Sequence, residues 1–372
     1  MTYPLELPRV VGGGRLYTIL TRSGYTRGQI DQVTYDMARV GLTLVTGATG
    51  FVGSAVARAL GARGYQIRVL VRSTSNRRNL DGFQAEIVFG DINDPVAVAR
   101  AVAGCQYVIH LAADYRIWAP RPALMLRTNV EGTTGLMRAA KAAGVERIVH
   151  CSSVAALGYN RDGSPADEDT PVNIKRIAGA YKRSKYLGEQ AVRKLIREEG
   201  VPAVIVNPSA PVGIRDIKPT PTGRMIVDAA NGRIPAYMNT GLNLVRVEDV
   251  AIGHVLALER GRIGEGYILG GEDLSLRAIL TMITQEAGRK PPSIKVSPTL
   301  MWPVAWADEL IARVFNTEPR VTRDHLRMAR HRMYFSSAKA MRELGYVPRP
   351  VRPAIKEAIA WFLANNMVSV RA

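Results

Sequence analysis

The sequence predicts an α/β protein: a doubly wound parallel sheet with a smaller C-terminal substrate-binding lobe. Two observations predict the sheet. Short, nearly all-apolar segments alternate with helical ones as far as Val206, the pattern of strands buried on both faces. A turn of spaced glycines, Gly47-Ala-Thr-Gly50-Phe-Val-Gly53, also follows directly on the first apolar segment. A third observation predicts the lobe. After Pro208 the chain is interrupted by Pro211, Pro219, Pro221, Gly223, Gly232 and Pro235, as expected of a segment that leaves the sheet to build a pocket wall.

The elements are expected in this order. Strand Leu42 to Thr46 leads into helix Phe51 to Arg63, which begins where the glycines stop. Strands follow at Gln66 to Val71 and Ala85 to Phe89, then helix Pro95 to Ala103 with Asp94 as its cap, then strand Tyr107 to Leu111. A helix over Arg127 to Ala143, strand Arg147 to Cys151, a helix around Tyr181 and strand Ala203 to Val206 complete the alternation. Beyond it, helix Val250 to Arg260 and strand Tyr267 to Leu269 are expected to return to the sheet, and helices are expected at Ser275 to Ala287 and Leu300 to Phe315. The domain reading is an N-terminal arm over 1–37 that carries no chemistry, a dinucleotide-binding domain over 38–210, and a lobe over 211–372 whose segments near 243–270 rejoin the first domain. Met37, just before Ala38, is where a compact protein of this kind is expected to begin.

Bulk properties exclude several classes. Of the 372 residues 47% are apolar, with no run of the roughly 18 uninterrupted apolar residues that would span a bilayer. The first forty residues mix polar and apolar types without the hydrophobic block of a signal peptide. Cys105 and Cys151 do not suggest a disulfide framework, which fits a reducing, cytoplasmic setting. The formal net charge of +18 admits nucleic acid, an anionic membrane surface or an acidic ligand as partner. The basic residues are scattered without interleaved aromatics, which disfavours nucleic acid and leaves a solvated surface or peripheral contact with anionic lipid. The segment Leu300 to Phe315 is read as packing in the core, with insertion into a membrane surface as the alternative. The histidines at 110, 150, 254, 325 and 331 form no short-spaced ligand set, so no metal site is expected.

Two motifs carry chemistry. Gly47, Gly50 and Gly53, with Thr49, Phe51 and Val52 between them, put bare backbone and a helix N-terminus where a pyrophosphate can approach. About twenty residues on, where an acidic residue would hold a ribose 2′-hydroxyl, the second strand ends at Arg72, followed by Ser73, Arg77 and Arg78. Basic residues there suit a 2′-phosphate, so NADP(H) is favoured and NAD(H) admitted. Asp91 and Ile92 follow the next strand and are expected at the adenine edge. The second motif is Tyr181-Lys-Arg-Ser-Lys185, in which tyrosine and lysine share a helix face. A nearby ammonium should draw the phenol's pKa down and let it exchange a proton with an oxygen whose carbon exchanges hydride.

These motifs occur together with His110-Leu-Ala-Ala113, Asn129-Val-Glu-Gly132, Cys151-Ser-Ser153, Asn207-Pro208 and Val247-Glu-Asp249. In that order the chain resembles the extended short-chain dehydrogenases/reductases, the NAD-dependent epimerase/dehydratase group, which includes dihydroflavonol-4-reductase. Ala112-Ala-Asp-Tyr-Arg-Ile-Trp118 and Ile217-Lys-Pro-Thr-Pro-Thr-Gly-Arg224 are similar to the hopanoid-associated sugar epimerases of bacteria. The resemblance, over roughly Ala38 to Leu363, implies a Rossmann fold. It also implies Ser153 on the substrate oxygen, Tyr181 as acid/base and Lys185 on the nicotinamide ribose. Leu111, Ala112, Ala113 and Pro208 would then flank the cofactor, and Asn129 would stand near the active site. Tyr115, Arg116 and Trp118, with Ser209 and Arg224, are the candidate substrate wall.

One departure bears on substrate. Nucleotide-sugar epimerases of the group set an arginine against the diphosphate about five residues before the Val-x-Asp motif, and here Leu242 stands there. A buried diphosphate without a cation is costly. Arg224 or Arg246 could substitute, but the simpler expectation is a substrate other than an ordinary UDP-sugar, such as a sugar or a sugar-like polyol side chain of a hopanoid lipid. Net NADPH-dependent reduction is favoured over epimerisation without net redox change. From another class, a basic RNA- or membrane-binding cofactor sensor would have no need of Ser153, Tyr181 and Lys185. A homodimer is admitted.

Overall fold

The computed structural model describes residues 41–116, 121–174, 177, 179–315, 317, 319 and 321–369. The arm over 1–37 and Trp118 fall outside the described residues. The first half alternates as β1 (Leu42–Thr46), α1 (Phe51–Ala62), β2 (Gln66–Val71), β3 (Glu86–Phe89), α2 (Pro95–Val102) and β4 (Tyr107–His110). Asp94 caps α2 by accepting from the Val96 N–H, with Pro95 at its first position. Then come α3 (Pro122–Leu126), α4 (Thr133–Ala142), β5 (Arg147–Cys151), α5 (Gly179–Glu199) and β6 (Ala203–Pro208).

Of the described strands, seven form one parallel sheet in the order β10-β6-β5-β4-β1-β2-β3, where β10 is Gly266–Leu269. Alternate residues of each inner strand face opposite layers, and both layers are dry. Val45, Val149 and Val204 pack with Leu60 of α1 and Val255 of a returning helix. Leu44, Val108 and Ile148 pack with Val98, Leu136 and Val192 of α2, α4 and α5. This double burial is why the strands read as continuous apolar runs rather than as alternating ones.

The expected single helix from Arg127 to Ala143 is broken: between α3 and α4 the chain makes a π-turn over Arg127–Gly132. The side chain of Asn129 explains it. Its Nδ2 donates to the Asp114 carbonyl at 2.8 Å and to Ser184 Oγ at 2.9 Å, and its Oδ1 accepts from the Asp114 N–H at 2.7 Å. Such side-chain claims on the backbone favour an extra residue in the turn, a device common at functional sites. A Cβ on Gly188 of α5 would lie 2.5 Å from the Asn129 carbonyl oxygen, so only glycine lets α5 close on the bulge.

After β6 the chain builds a second layer. β7 (Ala210–Val212), α6 (Pro221–Ala230), β8 (Ala236–Met238) and β9 (Gly241–Arg246) come first. Helix α7 (Val247–Arg260) packs against α1, and β10 pairs with β6. Within 243–270, therefore, the rejoining segment starts at Val247, whereas β9 lies in the lobe sheet with β7, β11 (Glu272–Ser275) and β13 (Arg332–Met333). Helix α8 (Leu276–Glu286), β12 (Ile294–Val296), α9 (Trp302–Val314), α10 (Arg323–Met328), α11 (Ala338–Leu344) and α12 (Arg352–Ala364) complete the described chain. Ile226, Ile279, Ile355 and Phe362, from α6, α8 and α12, form the lobe's own core. Ala329 and Leu326 are buried near α9, but the outer face of that helix is not, contrary to the expectation that it packs into the core.

Candidate active site

The carboxyl ends of β1, β2, β4, β5 and β6 converge on one edge of the sheet, where α/β proteins bind their ligands. At the first of these ends the backbone is forced into close approach. Gly47 has φ of +75°, and a Cβ on Gly53 would sit 2.1 Å from the Gly47 carbonyl oxygen. Such a cradle tolerates no side chain there, and Gly50 at the cap position of α1 leaves the helix N-terminus without a capping side chain. The turn containing Thr49, Phe51 and Val52 therefore fits the pyrophosphate of a dinucleotide. The Thr46 hydroxyl accepts from the Leu111 and Ala112 N–H groups at 3.2 and 3.1 Å and bonds His110 Nδ1 at 2.8 Å, fixing the end of β4, with Ala113 beyond, against the turn. Asn79, buried, donates from Nδ2 to the Thr49 and Arg215 carbonyls, both at 3.1 Å, and so ties the turn to the lobe.

Further along the edge, Arg72 and Ser73 are exposed just after β2. Arg77 stacks its guanidinium 5.6 Å from the Phe89 ring at the outer strand. Asp91 Oδ1 accepts from the Asn93 N–H and Nδ2, both at 2.8 Å, and Ile92 packs over Gly132 in the π-turn. Pro208 ends β6 opposite Leu269.

The chemical groups meet at the end of β5. Gly179 starts α5 with φ of +81°, and one turn of helix separates Tyr181 from Lys185. Lys185 is buried and its Nζ donates to the Cys151 carbonyl at 3.0 Å. Burial pulls its ammonium below the ordinary lysine value, against the pull of Cys151 and Glu189. Ser153 lies in extended backbone just past β5, and its hydroxyl accepts from the Ala155 N–H at 3.1 Å while hydrogen-bonding the Tyr181 phenol.

The phenol does not behave as the sequence suggested. Burial pushes Tyr181 above its ordinary value, and the Ser153 hydrogen bond only opposes that rise. The lysine charge is engaged by a carbonyl and is itself weakened by burial, so desolvation of the phenolate dominates. At neutral pH Tyr181 is held in its acid form.

Three supporting residues, Glu189, Asn207 and Ser184, were not assigned a role by sequence. Glu189, buried one turn beyond Lys185, accepts from Asn207 Nδ2 at 2.7 Å, and the same nitrogen donates to the Ser153 carbonyl at 3.1 Å. Asn207 thus pins the backbone of Ser153. The spacing of Glu189 four residues after Lys185 was a visible signal, whereas its partner on β6 was not. Ser184, three residues after Tyr181, accepts from Asn129 and donates to the Tyr181 carbonyl at 2.8 Å.

The candidate substrate residues are less united. Ser209 is buried, and its hydroxyl has no hydrogen-bond partner among the described residues. Tyr115 is exposed, and Arg116 folds back on Asp114, with Nε 2.9 Å from Oδ1. Arg224 lies on the exposed face of α6, where its charge faces His325 of α10. Arg246 is engaged by Glu248 at 3.7 Å and Glu357 at 3.3 Å, and Leu242 packs in the lobe core. His110 and His150 stack 5.4 Å apart beneath the site, and burial holds His110 neutral with a pKa lowered to about 3.

A phosphate-cradling turn and a serine–tyrosine–lysine set on one edge of a parallel sheet define an NAD(P)-dependent enzyme of the Rossmann class. The comparisons place it further. Residues 43–270 match the model of the NAD dependent epimerase/dehydratase family, and the chain belongs to that family, the extended short-chain dehydrogenases/reductases. It is 40% identical to a putative dihydroflavonol 4-reductase of Synechocystis sp., over 91% of this chain and 100% of that one. It is 35% identical to sterol demethylase protein B of Methylococcus capsulatus, over 88% of this chain and 99% of that one. Its fold is similar to the crystal structure of gox2253, with a TM-score of 0.80 and 57% identity over 88% of this chain and 100% of that one.

Proposed function

We propose that the protein is an NADPH-dependent reductase that converts a carbonyl on a lipid-like molecule, of the hopanoid side-chain or sterol type, to a carbinol. The observation that carries this reading is the half-buried Tyr181 phenol, kept protonated and set against Ser153 at the sheet edge where the glycine turn lies. A bound nicotinamide supplies hydride to the carbonyl carbon. Ser153 orients the carbonyl oxygen by hydrogen bonding, and Tyr181 gives that oxygen its proton. Lys185, anchored at the Cys151 carbonyl, sets a cation on the helix face of Tyr181, where it would stabilise the phenolate left behind and would hold the ribose of a bound coenzyme. Glu189 and Asn207 keep the Ser153 backbone in place.

Support for the coenzyme choice is Arg72 and Ser73, exposed at the end of β2 where the other coenzyme would call for a carboxylate. Support for a substrate without a diphosphate is Leu242 in the lobe core and Arg246 already held by two carboxylates. The names of the reductase and sterol relatives agree with a substrate of this kind. Such a substrate brings the enzyme to the cytoplasmic face of a membrane. The second reading, inversion of a sugar carbinol without net redox change, draws on the family description, which includes epimerases. NADPH deuterated at the transferred position separates them. Stoichiometric label in the product with NADP+ accumulating is expected; inversion of the substrate centre with no net coenzyme consumption would replace the reductase reading.

A further inference from the structure

Helix α9 is built inside out. Its acidic residues face the protein: Glu309, 6% exposed, accepts from the Arg323 N–H at 2.7 Å and from its Nε at 2.9 Å, and Asp308 Oδ2 accepts from the Val321 N–H at 2.8 Å. Its large apolar residues face out. Val304, Trp306, Leu310, Ile311, Val314 and Phe315 are all exposed, Trp306 at 58% and Phe315 at 71%. Leu300, just before the helix, is exposed as well, at 74%. Scattered exposed apolar residues are ordinary, but a contiguous helix face of them, with the acidic residues turned inward, marks an interaction surface.

The surroundings say what kind. Lys290, Lys295, Arg313, Arg327 and Arg330, on α9 and the segments either side of it, are exposed in a chain of formal net charge +18. Trp306, an apolar ring with a polar N–H, has the amphipathic character that settles at a lipid headgroup boundary, and the wholly apolar Phe315 adds area for insertion beneath it. No helix among the described residues is long and apolar enough to cross a membrane, so α9 is suited to lie along the surface rather than to span. From α9 the route to the site is short. α10 packs on α9 through the Arg323–Glu309 pair and the Arg327 guanidinium 5.7 Å from the Trp302 ring. Asp324 of α10 abuts Gly179, two residues before Tyr181, where an added Cβ would be 2.8 Å from its Oδ2.

We infer that the exposed face of α9 docks the enzyme on an anionic lipid bilayer, with the apolar side chains inserted at the boundary between headgroups and acyl chains and the flanking lysines and arginines on the lipid phosphates. The inference rests on the functional reading above only for the use of such a surface, and its test reads binding without turnover. The full chain is mixed with vesicles of equal parts phosphatidylglycerol and phosphatidylcholine, or of phosphatidylcholine alone, and sedimented. Binding to the anionic vesicles that weakens with added salt, and falls at least about tenfold in Trp306→Glu/Ile311→Glu with NADPH affinity unchanged, is expected. Equal vesicle binding by the variant would overturn the assignment of this face. So would wild-type protein that ignores both vesicles but sediments as a dimer that the variant dissolves, since the face would then be covered by a second copy. Reductase activity can fail or survive independently of either result.

Discussion

The two halves of the molecule are held together by different kinds of information. The inner strands of the parallel sheet are apolar runs buried on both faces, and its candidate functional edge is assembled from short local cassettes: the glycine turn after β1, Ser153 after β5, and Tyr181 with Lys185 one helical turn apart. The lobe sheet joins strands from distant points of the chain, with β9 flanked by β11, β7 and β13, the last only two residues long. The proposed chemistry therefore rests on residues close together in sequence, while the lobe proposed to choose the substrate is assembled by long-range pairings around a second core.

Breaking the comparison at the sheet edge should have the largest effect. Tyr181→Phe removes the proton donor but leaves the turn at Gly47 to Gly53 untouched, so turnover should fall by about 10²- to 10⁴-fold with NADPH affinity little changed. Steady-state rates beside a coenzyme titration check this, and a parallel loss of affinity would move Tyr181 from the chemistry to the coenzyme site. Next in size, Arg72→Glu replaces a cation at the end of β2 with a carboxylate. It should shift the NADPH-to-NADH preference in kcat/KM by about tenfold to a hundredfold toward NADH. An unchanged ratio would place the 2′-phosphate contact elsewhere on that edge.

The smallest effect is expected in the lobe loop, and it should touch stability alone. Asp216 is buried, and burial raises its carboxyl from 3.8 to about 6, although Oδ2 accepts from the Thr220 N–H and Oγ1, both at 2.8 Å. A carboxyl raised in the folded state contributes stability that is fully present below its unfolded value and is lost as pH rises through the folded one. That window runs from 3.8 to about 6. Asp216→Asn keeps an acceptor and removes the titration. The melting temperature of the variant should therefore gain on the parent as pH rises through this range, by the equivalent of about 1–3 kcal/mol. A pH-independent difference would mean that Asp216 does not titrate in the folded protein.

What the sequence made legible follows the same division. β1, β2 and β5 have the bounds expected of them, because an apolar run closed by glycine, serine or arginine leaves little choice of where the strand ends. The helix expected over 127–143 failed because periodicity does not show that Asn129 reaches across to Asp114 and Ser184. The short strands β7, β8, β11, β12 and β13 were not anticipated, since segments of two to four residues carry no readable alternation. The expected phenol shift missed its sign because spacing reports that Lys185 is near Tyr181 but not that the phenol is desolvated or that the buried ammonium is bonded to the Cys151 carbonyl. The outward face of α9 was misread for a related reason: the apolar residues of a helix name its sticky side, not the direction in which that side points.

The central claim is that the nicotinamide ring of a bound dinucleotide lies over the Ser153–Tyr181–Lys185 set, and a structure of the NADP+ complex tests it directly. The account predicts the pyrophosphate on the turn from Gly47 to Gly53 and the ring carbon that carries hydride within about 4–5 Å of the Tyr181 hydroxyl, close enough for one substrate oxygen to bridge them. A complex with the pyrophosphate off that turn, or with the ring beyond reach of Tyr181, would contradict it.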